Sequence, residues 1–387
     1  MPASIRTLGL RFLPWESVQR SIGAERFPLS PMADPEPGSA AGRFKLGVVG
    51  TFGGFHRAAE NACREMGVPH EVVDISGPDW IDVVRESACD AFLVRPPCLV
   101  RLWKDRLDER LRIMANELGA TLCPTLDEIW LYESKRRQLY WLEANGVPHA
   151  RTWVFYSEQR ALEFARHAEL PIVFKSDFGS KTSGVRILRS RSELARLVKR
   201  CFRRGFRSDN AHPMERQWGH VLLQEYVPEA REWRAIRMGR SYFALEKRRR
   251  GEFHSGSNDW VLDDPPVSVI DFTRELTERA GFRSMNLDVL ETLDGRHLVS
   301  EMHTVFQSPT PFKTRVNGVD GRYLYDENEG EWTFDPGVFF HNAGWNLRVE
   351  YLLDRLEAGS RGGGSGENGE PREEFAPLGE ACLEARG

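Results

Sequence analysis

The chain has 387 residues, 41% of them hydrophobic and 28% charged, which is the balance of a soluble globular protein and excludes a disordered, collagenous or membrane-embedded one. The 53 Lys and Arg against 57 Asp and Glu leave a formal charge of −4, so no global field of one sign marks a nucleic-acid or membrane partner, and electrostatic recognition must be local. At about 150 residues per domain, the length predicts two or three domains.

The cysteines Cys63, Cys89, Cys98, Cys123, Cys201 and Cys382 form no C-x-x-C pair and no regular spacing, which argues against a disulfide scaffold or a zinc ribbon. No stretch approaches the roughly 18 apolar residues of a membrane helix, and Arg6, Arg11, Glu16 and Arg20 interrupt any secretory core. A reducing, cytoplasmic setting is expected.

Residues 1–42 carry a Pro/Ala/Gly/Ser run and read as a disordered leader, with Met32 as an alternative start. Residues 43–124 alternate short apolar runs (FKLGVVGT, EVVDI, DAFLV, TLCP) with helical patterns (FHRAAENACREMG, WIDVVRES, LDERLRIMANELG), which predicts a small parallel α/β domain. TLDEIWLYESKRRQLYWLEANG reads as one helix stopped by Asn145-Gly146. Beyond it, residues 150–357 predict an α+β block. Its strands are RTWVFYS, PIVFKSDFG, GVRILRS, VLLQEYV, REWRAIRMG, SYFALEKRR, LDVLET and HLVSEMHT, and its helices are EQRALEFARHA, RSELARLVKRCF and DFTRELTERAG. Residues 358–387 have the composition of a flexible polar tail.

Three places point to chemistry. PIVFKSDFGSKTSGVRIL carries Lys175 on a strand and then a Gly179 to Gly184 loop whose backbone N–H groups and Lys181 could wrap phosphate oxygens; it lacks the glycine spacing of a Walker A loop, and an ordinary hairpin is the plain alternative. In LDVLETLDGRHLVSEMH, an Asp294-Gly295 turn joins two strands, and alternation puts Glu301 and His303 on one face opposite Asp288, a set suited to a divalent cation. VLLQEYVPEAREWRAI offers main-chain groups at Gln224, Glu225, Tyr226 and Val227 for a planar base and a downstream carboxylate, Glu232. The basic run Lys247 to Arg250 reads better as a phosphate or carboxylate pocket than as a nucleic-acid surface.

In their order and spacing these segments resemble the ATP-grasp superfamily of carboxylate–amine ligases, among them the glutamate-ligase type that extends a ribosomal-protein C-terminus. The likeness covers roughly residues 121–311. It implies two α+β lobes sandwiching ATP, at about 150–227 and 228–357, behind a small α/β domain. It further implies that Lys135 and Lys175 contact the ATP phosphates, and that Gly179, Ser180, Lys181, Thr182, Ser183 and Gly184 form the loop closing over them. Gln224, Glu225, Tyr226 and Val227 would hold adenine, Glu232 the ribose, Arg234, Lys247 and Asn258 would approach the γ-phosphate, the reacting carboxylate or the metals, and Arg234, Arg248 or Lys247 would stabilise the negative tetrahedral centre. Asp288 and Glu301 match the Mg²⁺-binding carboxylates.

His303 stands where the family has Asn, which leaves three outcomes: Mg²⁺ held by two carboxylates, a Mn²⁺-tolerant site, or a degenerate ATP-binding protein. The expected activity is ADP-forming ligation of a small-molecule or peptide carboxylate to an amine, with homo-oligomerisation left open. The rival from another class is a nucleic-acid-binding protein using the basic 199–207 and 247–250 clusters. His254 is a candidate base by location only.

Overall fold

The computed structural model describes residues 28–361 apart from 36–38, 52–53, 99, 180–183, 210, 213, 250, 252–258 and 306–313. The first block folds as its alternation predicts. Strands β1 (Leu46–Val49), β2 (His70–Val73), β3 (Ala91–Leu93) and β4 (Leu122–Cys123) form a parallel sheet in the order β2-β1-β3-β4, connected through helices α1 (Arg57–Glu65), α2 (Trp80–Glu86) and α3 (Arg101–Asn116). β1 is buried at every position because crossover helices cover both sides of such a sheet.

Part of the expected leader is held in place. Ser30 N–H donates to Asn61 Oδ1 at 2.9 Å, Asn61 Nδ2 returns a bond to the Pro28 carbonyl at 2.8 Å, and Ala33 N–H donates to the Arg64 carbonyl at 2.8 Å. The prolines keep residues 28–35 out of regular structure, and α1 supplies the partners that this backbone needs.

The single helix expected over residues 125–146 is two, α4 (Leu126–Leu131) and α5 (Lys135–Ala144). Thr125 and Glu128 form a capping box on α4, and the Ser134 hydroxyl accepts the Arg137 N–H to cap α5. Between them Glu133 adopts the left-handed region at φ +58° and is buried. A periodic apolar pattern runs through this break, so hydrophobicity alone does not reveal it.

Next, β5 (Thr152–Phe155), β6 (Ile172–Lys175), β7 (Val185–Leu188) and β8 (Val221–Glu225) form an antiparallel sheet ordered β5-β8-β6-β7. Helices α6 (Glu158–His167) and α7 (Arg191–Arg203) cover it, burying Ala161, Ala165, Leu194 and Val198 against Phe174 and Leu223. The last sheet holds β9 (Arg231–Met238), β10 (Ser241–Lys247), β11 (Trp260–Val261), β12 (Ser284–Glu291), β13 (His297–His303), β14 (Thr314–Val316), β15 (Val319–Asp326) and β16 (Glu331–Pro336). Its order is β13-β12-β9-β10-β15-β14, with β11 on β10 and β16 on β15, and α8 (Val267–Arg279) packs on it.

Strands β14 to β16 and helix α9 (Trp345–Arg361) have no counterpart in the sequence reading. Asn317-Gly318, both at positive φ, is the hairpin turn that would have revealed β14 and β15. Helix α9, expected to belong to the C-terminal lobe, returns to the parallel sheet and buries Trp345, Val349 and Leu352 with Leu46, Val48 and Ala58.

Asp177, directly after β6, ties these units together. Its fully buried carboxylate accepts Arg101 Nη2 of α3 at 2.7 Å, Arg136 Nε at 2.6 Å, the Arg136 backbone N–H at 2.9 Å and the Ser134 hydroxyl at 3.2 Å. Burial would raise its pKa, but His220, Arg101 and Arg136 hold it far below the usual carboxylate range. A folded pKa depressed in this way contributes stability that is complete above the unfolded value near about 4 and is lost as the pH falls. Asp177→Asn is therefore expected to lower unfolding free energy by ~3 kcal/mol at neutral pH, and by less under acid, in urea titrations at both pH values. An equal loss at both would contradict the assignment.

Candidate functional site

The site is built on strand alternation. Asp288 pairs with Glu301 and Asn286 with His303 across β12 and β13, while Asp288 also pairs with Arg234 of β9 and Lys247 of β10 with Glu232. Because side chains alternate with period two, these polar residues share one face, and Trp233, Ala235, Leu287, Val289 and Met302 fill the apolar core behind it. Between the pairs Asp288–Glu301 and Val289–Val299 the register slips, so Ser300 is the extra residue of a β-bulge. The bulge presents Ser300 to the other antiparallel sheet, where Lys175 Nζ of β6 donates to its Oγ at 3.2 Å and to its carbonyl at 3.4 Å.

The carboxylates are ionised by their neighbours. Asp288, 2% exposed, accepts Arg234 Nε on Oδ1 at 3.1 Å and ion-pairs with Lys247, which also binds Glu232. Burial pushes the Asp288 carboxyl up, but Arg234 and Lys247 hold it well below the usual range. Glu301 is likewise lowered against its burial, by Lys135 at 2.9 Å and His303 at 3.3 Å. Burial alone would lower the His303 imidazole, yet Glu301, Asp288 and Glu133 around it raise its pKa.

A divalent cation fits this face. Ligand atoms of Asp288, Glu301 and His303 lie within 4.8 Å of one another. Two buried oxygens beside them, Asn286 Oδ1 and Glu133 Oε2, have no hydrogen-bond partner among the described residues, a costly state that a cation would relieve. Asn286 was missed in the sequence. It stands directly across from His303, and its amide is the kind of neutral oxygen donor that hard cations take.

Two lysines face the same seam. Lys175 is half-buried, its desolvation lowers its pKa, and among the described residues no carboxylate pairs with it. Burial also works against the Lys135 ammonium, but Glu301 and Glu133 outweigh it. Lys135 Nζ donates to the Gly179 carbonyl at 3.0 Å, which holds the start of the Gly179 to Gly184 loop. At its other end Ser176 N–H donates to the Gly184 carbonyl at 2.8 Å, and a Cβ at Gly184 would run into the Ser176 side chain, so only glycine fits there. Ser180, Lys181, Thr182 and Ser183 lie outside the described residues, as do Asn258 and His254.

The remaining expected residues fall nearby with defined partners. Gln224 Nε2 donates to Thr152 Oγ1 at 2.9 Å, Glu225 binds the Arg151 side chain at 2.7 Å and backbone at 2.8 Å, and Tyr226 OH accepts from Arg249 at 2.8 Å. Those side chains are engaged, which leaves main-chain groups of the segment through Val227 for a ligand. Arg248 is exposed beyond β10, outside the buried cluster that contains Arg234 and Lys247.

No protein-family model and no curated protein matches this sequence. Among solved structures, D-alanine–D-alanine ligase from Bacillus anthracis superposes with a TM-score of 0.50 at 14% identity, covering 82% of this chain and 99% of that one. The chain shares the fold of that ligase. An ATP-grasp RimK-domain protein from Sphaerobacter thermophilus (TM-score 0.49, 15% identity, 80% of this chain and 99% of that one) and a D-cycloserine synthetase (0.48, 19%, 81% and 99%) are also similar. Among the described residues no helix is long and apolar enough to cross a membrane.

The orphaned amide gives a direct test. Asn286→Leu should leave thermal unfolding cooperative yet weaken Mn²⁺ binding by about tenfold in water-proton relaxation titrations. Unchanged Mn²⁺ affinity in the folded variant would remove Asn286 from the site.

Proposed function

We propose that the protein is an ATP-dependent carboxylate–amine ligase. The observation that carries this reading is the seam where β6 meets β13. There two half-buried lysines, Lys135 and Lys175, face a candidate cation-binding set of Asp288, Glu301 and His303 beside the ends of the Gly179 to Gly184 loop. Lys175, with no carboxylate paired to it among the described residues, suits a phosphate, and the carboxylate face beside it, to which Lys135 is paired, suits the metal that accompanies a nucleoside triphosphate.

In this reading Lys135 and Lys175 bind the phosphates, and the Gly179 to Gly184 loop closes over them and excludes water. Backbone groups of Glu225, Tyr226 and Val227 take the adenine. Glu232 would offer ribose hydroxyls its carboxylate while its other contact, Lys247, holds it in place. Arg234 and Lys247 act by keeping Asp288 ionised, and Arg248, exposed just beyond β10, would meet a developing oxyanion on a bound substrate. Mg²⁺, or Mn²⁺ given the imidazole, would be held by Asp288, Glu301, His303 and Asn286 and would supply charge neutralisation of the phosphates when bound.

A substrate carboxylate oxygen attacks the γ-phosphorus as the bond to ADP breaks. An amine then attacks the acyl carbon, the C–N bond forms, inorganic phosphate leaves and the nitrogen loses a proton. A merely degenerate site is disfavoured by Asn286, which restores beside His303 the amide oxygen that a hard cation needs. The nucleic-acid reading loses part of its basic surface, since Arg203 pairs with Glu158 at 2.9 Å and Arg200 stacks on Phe206.

ADP and phosphate should be released with Mg²⁺ or Mn²⁺ when amino-acid or short-peptide donors and amines are supplied. Glu301→Gln and Lys175→Ala should each slow that release about 10²-fold or more. Equal rates in both variants would defeat the site assignment.

A further inference from the structure

Among the described residues β13 is the outermost strand of its sheet, so the backbone groups along its free edge have no neighbouring strand to pair with. A buried edge of this kind needs other partners. Near its middle the Val299 N–H donates to the Pro148 carbonyl at 2.9 Å. Further along, the edge is closed by one side chain.

Gln138, on α5 and 3% exposed, presents its amide to Met302 as the backbone of a neighbouring strand would. Its Oε1 accepts the Met302 N–H at 3.1 Å, and its Nε2 donates to the Met302 carbonyl at 2.7 Å. Nε2 also donates to the Leu131 carbonyl, at the end of α4, at 3.1 Å. Both amide hydrogens and the oxygen are engaged, so only one orientation of the amide satisfies its partners.

Met302 stands between the two cation-face residues of β13. Its N–H belongs to the peptide that joins it to Glu301, and its carbonyl to the peptide that joins it to His303. Turning either plane swings the adjoining side chain, because the alternation that sends Met302 into the core sends Glu301 and His303 to the opposite face. The ladder to β12 is a poor restraint here, since the extra residue of the bulge, Ser300, directly precedes Glu301. One turn earlier on α5, on the same side of the helix, Lys135 Nζ lies 2.9 Å from Glu301 Oε1. Helix α5 thus holds this end of β13 by a carboxylate and by two peptide groups.

We infer that Gln138 is a positioning residue for the cation site: its amide fixes the two peptide planes around Met302 and so sets the spacing of the Glu301 and His303 ligand atoms. Unlike Asn286, it touches no ligand and acts through the strand it braces. The inference rests on the reading of this face as the seat of a metal-bound nucleotide. Groups that orient metal ligands in this indirect way are commonly worth tenfold or more in metal affinity.

Mn²⁺ titrations of the full-length protein by water-proton relaxation test it, beside urea unfolding and calorimetric titration with metal-free ADP. Gln138→Met keeps the length of the side chain and removes all three hydrogen bonds. Gln138→Glu keeps the acceptor for the Met302 N–H and removes both donors. Mn²⁺ affinity should fall about tenfold or more in each, with metal-free ADP binding unchanged. Leu194→Ala, in the core of the other antiparallel sheet, lowers stability without touching β13 and should leave Mn²⁺ affinity unchanged.

Unchanged Mn²⁺ affinity in either folded Gln138 variant overturns the inference. An equal loss in Leu194→Ala, or an equal loss of metal-free ADP binding in the Gln138 variants, overturns it too, because general loosening would then explain the effect. Should Gln138→Met not unfold cooperatively, Gln138→Glu decides. Failure of the unaltered protein to bind Mn²⁺ would defeat the metal-bound nucleotide reading and this inference with it, whereas Mn²⁺ binding that withstands Gln138→Met defeats the inference alone.

Discussion

The Asp288 carboxylate is shut away from water in the middle of an antiparallel sheet, and the surrounding chemistry follows from keeping it charged there. Burial favours its neutral form, so Arg234 and Lys247 must lie against it, and Lys247 in turn brings Glu232 into the same row. A network of this kind is weak evidence for stability, because well-packed apolar side chains could replace it at little cost. Its presence on the face that also holds Glu301, His303 and Asn286 is better explained by a ligand that requires ionised oxygens.

The rest of the fold brings a second set of charges to that face. The bulge at Ser300 reaches across to Lys175, and Asp177, two residues further on, locks the end of β6 to α3 and α5. Lys135 opens α5 immediately after the Ser134 cap, so one short stretch sets Lys135 against Glu301, satisfies Asp177 and turns Glu133 inward. The loop from Gly179 to Gly184 leaves this rigid base between two fixed glycines.

Much of this was legible in the sequence, because a period of two along β12 and β13 places Asp288, Glu301 and His303 together without any tertiary knowledge. The parallel sheet was legible for the same reason, its short apolar runs alternating with helical patterns. Other features depend on pairing and conformation that periodicity does not carry. Asn286 becomes meaningful only when the register sets it opposite His303, and Ser300 only when the bulge turns it toward Lys175. Glu133 was hidden inside a continuous helical pattern that the Ser134 cap interrupts.

The central claim is that this face takes a metal-bound nucleotide, and the most direct measurement is calorimetric titration of the full chain with ADP, with and without Mg²⁺. Mg²⁺ should strengthen ADP binding by about tenfold or more in the unaltered protein, and Glu301→Gln should abolish that difference while leaving metal-free ADP binding largely intact. Equal ADP affinity with and without Mg²⁺, or an undiminished Mg²⁺ effect in the folded variant, would contradict the account.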